Sequence, residues 1–319
     1  MTLQEGFHLS AALNGAGSHP AAPARPFTPE QYTSLVRSAE AGLLDFVTVE
    51  DGPGRLDSAL LLALAATATD LIGLVPLGPT TGDPETWATR IATLDHVSAG
   101  RAGVRPRATT SNPEHARLVA LLGTPEGDRR IRELFAQADE FLTAATAAWE
   151  TAVHPVQSSP PVTVLAHATV PYRLAAAHAD VVFVTPRDTS GLVAIRKEVE
   201  ALREEAGRPA GTLRVFADVN VVLGAGQEAA DERKARLDEA AGTAFTSDAA
   251  VFTGTPEGLA DLLEEWFREG GADGFRLRPA VLPDDLDAIA ADLVPVLQRR
   301  GLFRTEYTAR TLRGHLGLD

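Results

Sequence analysis

Short apolar runs alternate with longer amphipathic segments from one end of this chain to the other. Residues 7–13 read as a first strand. Thr28-Pro29-Glu30 then supplies an N-cap residue with proline at the first helical position, and the helix runs to about residue 44. Residues 46–50 are short and β-branched, a second strand. A helix from Asp57 leads to a strand at 71–77, and a helix from Pro84 to about Gly100 leads to a weaker strand at 102–109. Residues 113–150 carry one or two helices, followed by strands at 161–166 and 180–185 with a short helix between them. A helix at 188–206 feeds a strand at 213–223, a helix at 256–269 feeds a strand at 274–277, and a helix at 284–299 precedes a polar tail. Strands that each lead into a helix are parallel strands with helical crossovers. Eight of them favour a closed (β/α)8 TIM barrel over an open doubly wound sheet, although the pattern alone leaves the open sheet standing. Segments 14–26 and 153–161, rich in Gly/Ala and Pro/Ser, read as surface loops. No shift of composition divides residues 1–319, so one domain is expected.

Composition narrows the partners. Lys plus Arg is 29 against 43 Asp plus Glu, a formal net charge of −14, which repels nucleic acid and anionic lipid. The longest apolar stretch, 59–66, is well short of the roughly 20 residues of a membrane span. The first residues, with Glu5 and His8, lack the basic and apolar regions of a signal peptide. With no cysteine, disulfides, thiolate metal sites and a cysteine nucleophile are excluded, and a reducing, cytoplasmic location is expected. The eight histidines have no ligand spacing, so no metal site is expected; His115, His154 and His315 read as solvated. Gly224-Ala-Gly226 imitates a dinucleotide fingerprint, but no second nucleotide-binding half follows it, and any tight strand-to-helix turn uses the same residues.

In a barrel, chemistry sits in the loops after the strands. The first is Asn14-Gly-Ala-Gly-Ser-His-Pro-Ala-Ala22, where His19 is either a proton donor or base, or a loop histidine bonded to backbone. The second strand ends in Glu50-Asp51-Gly52. Neighbours in a strand point to opposite faces, so these two acids do not form the facing carboxylates of a glycosidase, and Asp51 also suits a cap. The third ends in Gly78-Pro-Thr-Thr81, either a source of neutral hydroxyls or a turn.

Three distant stretches carry a family resemblance: Thr93-Leu-Asp-His-Val-Ser-Ala-Gly-Arg-Ala-Gly103; Asp273-Gly-Phe-Arg-Leu-Arg-Pro279 with Leu282-Pro283; and the terminal run from Leu297 through Tyr307 to Leu318. Together they resemble the bacterial luciferase-like monooxygenases, in the branch that includes nitrilotriacetate and long-chain alkane monooxygenases. The resemblance implies a TIM barrel that uses reduced FMN and O2 to oxygenate a small organic substrate, with a deazaflavin as a close variant. It also implies a separate flavin reductase and a homodimer, or a heterodimer with a homologue. It assigns proton handling to His19 and the flavin ring to Asp51, Thr80 and Thr81; for the flavin phosphate, where the chain departs from the family, the expected donors are His167 and Thr169, with Arg173 in support, since imidazolium and guanidinium suit phosphate. Asp95, His96 and Arg101 are markers of the family, and their place at a helix end suits a structural role.

The chain departs from the family where the cofactor is expected. Gly103-Val-Arg-Pro-Arg107, followed by Thr110-Ser111, replaces a Gly-Trp-Asn run, so an Asn that meets the flavin is missing. Ile131 and Phe135 stand for a His and a Tyr ahead of Ala138-Asp-Glu-Phe141. Ala166-His167-Ala168 replaces a phosphate-gripping Gly-Ser-Ser turn, and the loop between Trp149 and that strand is shortened. Hydrogen bonds to a charged phosphate contribute ~1.5–3 kcal/mol each, so losing two weakens binding by about a hundredfold or more unless other donors compensate. These departures keep open an alternative, a catalytically degenerate partner subunit with weak or no flavin binding.

Overall fold

The structure, a computed structural model, describes residues 6–23, 28–50, 55–108, 120–121 and 123–319. Its strands are β1 (His8–Ala12), β2 (Phe46–Val49), β3 (Gly73–Pro79), β4 (Arg105–Arg107), β5 (Thr163–Leu165), β6 (Val181–Val184), β7 (Arg214–Leu223), β8 (Ala250–Gly254) and β9 (Gly274–Pro279). The helices are α1 (Pro29–Ala41), α2 (Ser58–Ala66), α3 (Pro84–Val97), α4 (Pro125–Thr151), α5 (Thr169–His178), α6 (Thr189–Glu205), α7 (Gln227–Ala241), α8 (Pro256–Arg268), α9 (Asp284–Ala288), α10 (Val294–Arg299) and α11 (Leu312–His315). Four helices open on one local solution, Thr or Asp followed by Pro-Glu. Thr28, Asp83, Thr124 and Thr255 each accept the N–H three residues on, and the proline occupies a position that needs no donor.

All strand pairs are parallel, in the order β4-β3-β2-β1-β9-β7-β6-β5. The two ends meet at Val104 and Val162: Val104 N–H donates to Pro161 O at 2.9 Å and Thr163 N–H to Val104 O at 2.8 Å. Eight strands therefore close into the expected barrel. The ninth, β8, was not expected. It pairs with Val219–Leu223 of β7, beyond the point where β6 stops at the level of Ala217, and so raises the wall at the C-terminal rim. Its residues are only partly buried, so it lacks the apolar signal of a barrel strand.

Alternation sorts the barrel residues into two sets. Leu9, Val47, Leu74, Val104, Val164, Val182, Val219 and Phe275 join the core beneath the helices. The intervening side chains face the axis. Toward the N-terminal ends these are apolar, with Phe46, Val75, Val181, Phe183 and Phe216 forming a second cluster with Leu312 and Leu316 of the tail. The tail expected to be merely polar thus seals the barrel floor. A Cβ on Gly73 or Gly103 would lie 2.6 and 2.9 Å from the Leu312 methyl carbons, so both positions need glycine for that side chain to seat. His315, expected to be solvated, is buried in the same tail and hydrogen-bonds Leu71 O at 2.7 Å through Nε2. The helix expected across 284–299 is a continuous run whose middle, Ile289–Leu293, is a π-helical turn between α9 and α10.

Candidate active site

Above that floor the axis-facing side chains turn polar: Ser10 and Asn14 from β1 and its loop, Thr48 and Glu50 from β2, Arg105 from β4, His167 and Thr185 after β5 and β6, Asp218 and Asn220 from β7, and Arg276 and Arg278 from β9. Asp218 is fully buried and anchors this cup. Arg276 holds it by two parallel bonds, Nε to Oδ1 at 2.9 Å and Nη2 to Oδ2 at 2.5 Å, and Arg278 Nη2 bonds the same carboxylate. Arg278 reaches on to Asp248 at 2.6 Å, and His167 Nδ1 lies 3.7 Å from Asp248 and 3.1 Å from the Thr185 hydroxyl. Across the cup, Arg105 Nη2 donates to Glu50 Oε1 at 2.7 Å.

These charges hold one another. Burial would raise the carboxyls of Glu50, Asp218 and Asp248, but the arginines more than reverse it and all three titrate below their ordinary values. Burial, with the like charge of Arg276, pushes Arg105 down to about 10 despite Glu50. Each of these three carboxyls is paired with arginine, which disfavours the protonated acid that a glycosidase needs, although carboxylates do stand across the barrel.

Five buried polar atoms of the cup have no hydrogen-bond partner among the described residues: Asn14 Oδ1, Thr48 Oγ1, Arg105 Nε, Asn220 Oδ1 and Arg276 Nη1. An unmade bond at a buried group costs about 1–3 kcal/mol, and native interiors leave few of them. They come from β2, β4, β7, β9 and the loop after β1, and together they mark an axis-facing surface built to be completed by a polar ligand.

The residues singled out from sequence are dispersed around this rim. His19 is 2% exposed. Ala21 N–H donates to its Nδ1 at 3.1 Å, which leaves the ring proton on Nε2 to bond Asp238 Oδ1 at 3.1 Å, and Phe245 packs 4.7 Å away. Its loop is pinned to the segment after β9, with Ser18 N–H on Pro279 O and His19 N–H on Ala280 O; a Cβ on Gly17 would strike Ala280 O at 2.1 Å. Both ring nitrogens are thus engaged in this conformation. Thr80 joins β3 to β4 through Arg107 O, at 3.1 Å from its N–H and 3.4 Å from its hydroxyl, and Thr81 is exposed beside it. Asp51, Thr110, Ser111 and His115 lie outside the described residues.

His167 does face the cup, and burial lowers its pKa below 6.5 despite Asp248. Thr169 opens α5 after Ala168, which leaves that helix end without a side-chain cap. The Thr169 hydroxyl donates to Glu198 at 2.5 Å and Arg173 donates to Glu205 at 2.8 Å. A cleft of about 290 Å3 lies alongside, between α4 and α5, lined by Phe135, Arg132 and Arg173 among others. Asp95 and Arg101 are buried staples. Arg101 donates five bonds to Ser98, Thr69, Ile72 and Ala66, and Asp95 accepts from Ala102 and Gln157. Sequence reasoning passed over Arg276, Arg278, Asp218 and Asn220 as ligand groups. The available signal was polar residues two apart within strands that otherwise read as buried.

A parallel (β/α)8 barrel with its floor sealed and a polar cup at the C-terminal ends of its strands belongs to the class whose active sites occupy that face. Residues 6–279 match the family model described as luciferase-like monooxygenase, and the chain belongs to that family. It is 26% identical to nitrilotriacetate monooxygenase component A from Aminobacter aminovorans, covering 98% of this chain and 95% of that one. The alignment runs over 439 positions against 319 residues here, so that relative carries long insertions with no counterpart in this chain. A shorter match, 54% identical over 67 residues, joins 21% of this chain to 15% of a dibenzothiophene-sulfone monooxygenase from Rhodococcus erythropolis. The solved EDTA monooxygenase from Chelativorans sp. BNC1 superposes with a TM-score of 0.83 at 21% identity, covering 98% of this chain and 99% of that one. Among the described residues no helix is long and apolar enough to cross a membrane, and no group of acidic or histidine side chains could hold a metal.

Proposed function

We propose that this chain is a flavin-dependent monooxygenase that uses reduced FMN and O2 on a small organic substrate. The observation that carries the reading is the polar cup with its five uncompleted atoms, in a chain of this family. Three of those atoms, Asn14 Oδ1, Thr48 Oγ1 and Asn220 Oδ1, suit a planar ring edged with hydrogen-bonding groups. Asn220 and Thr48 would meet it from the wall, and Thr80, Thr81 and Asp51 would orient it from the rim. His167 and the uncapped start of α5 would take the phosphate, where backbone N–H groups and the helix dipole favour an anion. The bound flavin supplies the activation of oxygen; the chain supplies position, proton handling and exclusion of water. His19 would hold or release a proton at Nε2 once that atom leaves Asp238.

The name "component A" of the nitrilotriacetate relative supports a separate flavin reductase as partner. A cytoplasmic location and pairing with a second copy or a homologue belong to the same reading; exposed Leu60 and Leu64 on α2, with Leu56 just before it, support the pairing. A deazaflavin in place of FMN is a variant that the same cup would serve.

The second reading, a degenerate partner subunit, is favoured by Thr169 and Arg173. Both are turned onto carboxylates, which leaves the Glu198 charge beside the place a phosphate would take. Anaerobic titration of the protein with reduced FMN separates the two. Saturation in the micromolar range supports the oxygenase, and a titration that never saturates leaves the partner subunit.

A further inference from the structure

We infer that Arg105 and Arg276 form an oxyanion subsite at the bottom of the cup, which seats a carboxylate group of the substrate. The inference deepens the oxygenase reading by naming a substrate class, and it rests on that reading only for the word substrate.

Charge is the first observation. Three guanidiniums are buried here, with side-chain exposures of 2% for Arg276, 6% for Arg105 and 12% for Arg278. Among the described residues of the cup a single carboxylate, Asp218 at 0%, is equally buried; Glu50 and Asp248 are 31% and 42% exposed. Buried cations without matching buried anions are costly, and a ligand carboxylate restores the balance. The second observation is geometric. Arg276 spends Nε and Nη2 on Asp218 and keeps Nη1 without a partner, while Arg105 spends Nη2 on Glu50 and keeps Nε without one. Arg276 lowers the pKa of Arg105 by its like charge and both arginines act on Glu50, so the two guanidiniums are neighbours on the axis-facing side of the barrel. Guanidinium donors from two directions suit the two oxygens of a carboxylate. The surrounding pairs are the exposed ones: Glu50 is only 3.9 Å from half-exposed Arg55, a weak contact that an incoming anion displaces at little cost.

The test uses the full chain without flavin, titrated calorimetrically with succinate and citrate, with succinamide as the uncharged control. Wild type binds at least one carboxylate saturably and does not bind succinamide. Arg276→Lys, which keeps a charge for Asp218 but removes the fork, and Arg105→Gln each weaken that binding by about ten- to a hundredfold. Folding is checked by circular dichroism, and a variant that fails to fold leaves the decision to the other. The same variants are titrated with reduced FMN and reduced riboflavin. Unchanged affinity for both supports the inference. It is overturned if wild type binds no carboxylate, if the variants bind it as wild type does, or if they lose the preference for FMN over riboflavin, which would place the flavin phosphate on these arginines. Failure to bind reduced FMN at all would instead remove the oxygenase reading and leave the carboxylate result standing by itself.

Discussion

Arg276 and Asp218, on neighbouring strands of the barrel, are locked by two parallel hydrogen bonds at 2.9 and 2.5 Å, with the guanidinium carbon 4.1 Å from the centre of the Phe183 ring below. The pair is the joint between the apolar floor and the polar cup. Asp218→Asn removes the only fully buried carboxylate among the described residues of the cup and leaves Arg276 and Arg278 without their shared partner. Breaking a buried pair in this way costs about 3–5 kcal/mol. Thermal unfolding should show a large fall in Tm for Asp218→Asn and a smaller one for Asp248→Asn at the exposed rim; equal effects would refute this division.

At the opposite end, Asp45 accepts from His8 Nδ1 at 2.9 Å and Leu9 N–H at 2.7 Å, and pairs with Arg304. Burial would raise its pKa, but the charges of Arg304 and His8 hold it well below the usual 3.8. Its folded value lies below its unfolded one, so its contribution is complete above about pH 4 and is lost as the pH falls further. Asp45→Asn should be less stable than wild type at neutral pH, and the difference should shrink toward pH 3. Urea unfolding across that range checks it, and a difference that grows in acid is the contrary result.

His167 titrates in the other sense. Burial lowers its pKa below the ordinary 6.5, so in the empty site the neutral ring predominates at pH 7. A flavin phosphate beside it would favour the charged ring, so protonation and phosphate binding strengthen one another as the pH falls. The affinity advantage of wild type over His167→Gln for reduced FMN should therefore grow as the pH falls from 7 to about 5.5. Riboflavin, without the phosphate, should show no such growth. An advantage independent of pH would place His167 away from the phosphate.

Leu312 is completely buried against Gly73 and Gly103 at the base of the barrel. Leu312→Ala should cost about 2–5 kcal/mol, the range for a buried leucine whose surroundings relax incompletely. Calorimetry measures it, and binding of a hydrophobic dye at moderate temperature should rise as the floor opens. A loss below about 1 kcal/mol would mean that the tail only rests on the barrel.

The barrel was readable because most of its strands are short apolar runs and many of its helices carry their own start signal, as in Thr28-Pro29-Glu30. These are properties of neighbouring residues, and so was the placing of Asp95 and Arg101 at a helix end. β8 escaped notice because its residues are half-exposed and its existence depends on β7 outrunning β6. His315 and Leu312 looked like parts of a polar tail, since nothing near them in the chain shows that Gly73 and Gly103 leave a hole of matching shape.

The site divides in the same way. Period-two alternation, carried one residue past the expected strand 274–277, puts Arg276 and Arg278 on one face, and the family resemblance pointed to the loops after the strands. Local order could not say that Arg276 meets Asp218, that Arg105 meets Glu50, or that Thr169 and Arg173 turn toward Glu198 and Glu205. Those partners lie tens of residues away and are chosen by barrel closure, since ion pairs and unmade hydrogen bonds depend on distance in space. Residue order dictates which groups each strand and loop can present; only the closed barrel decides which of them are satisfied and which are left for a ligand.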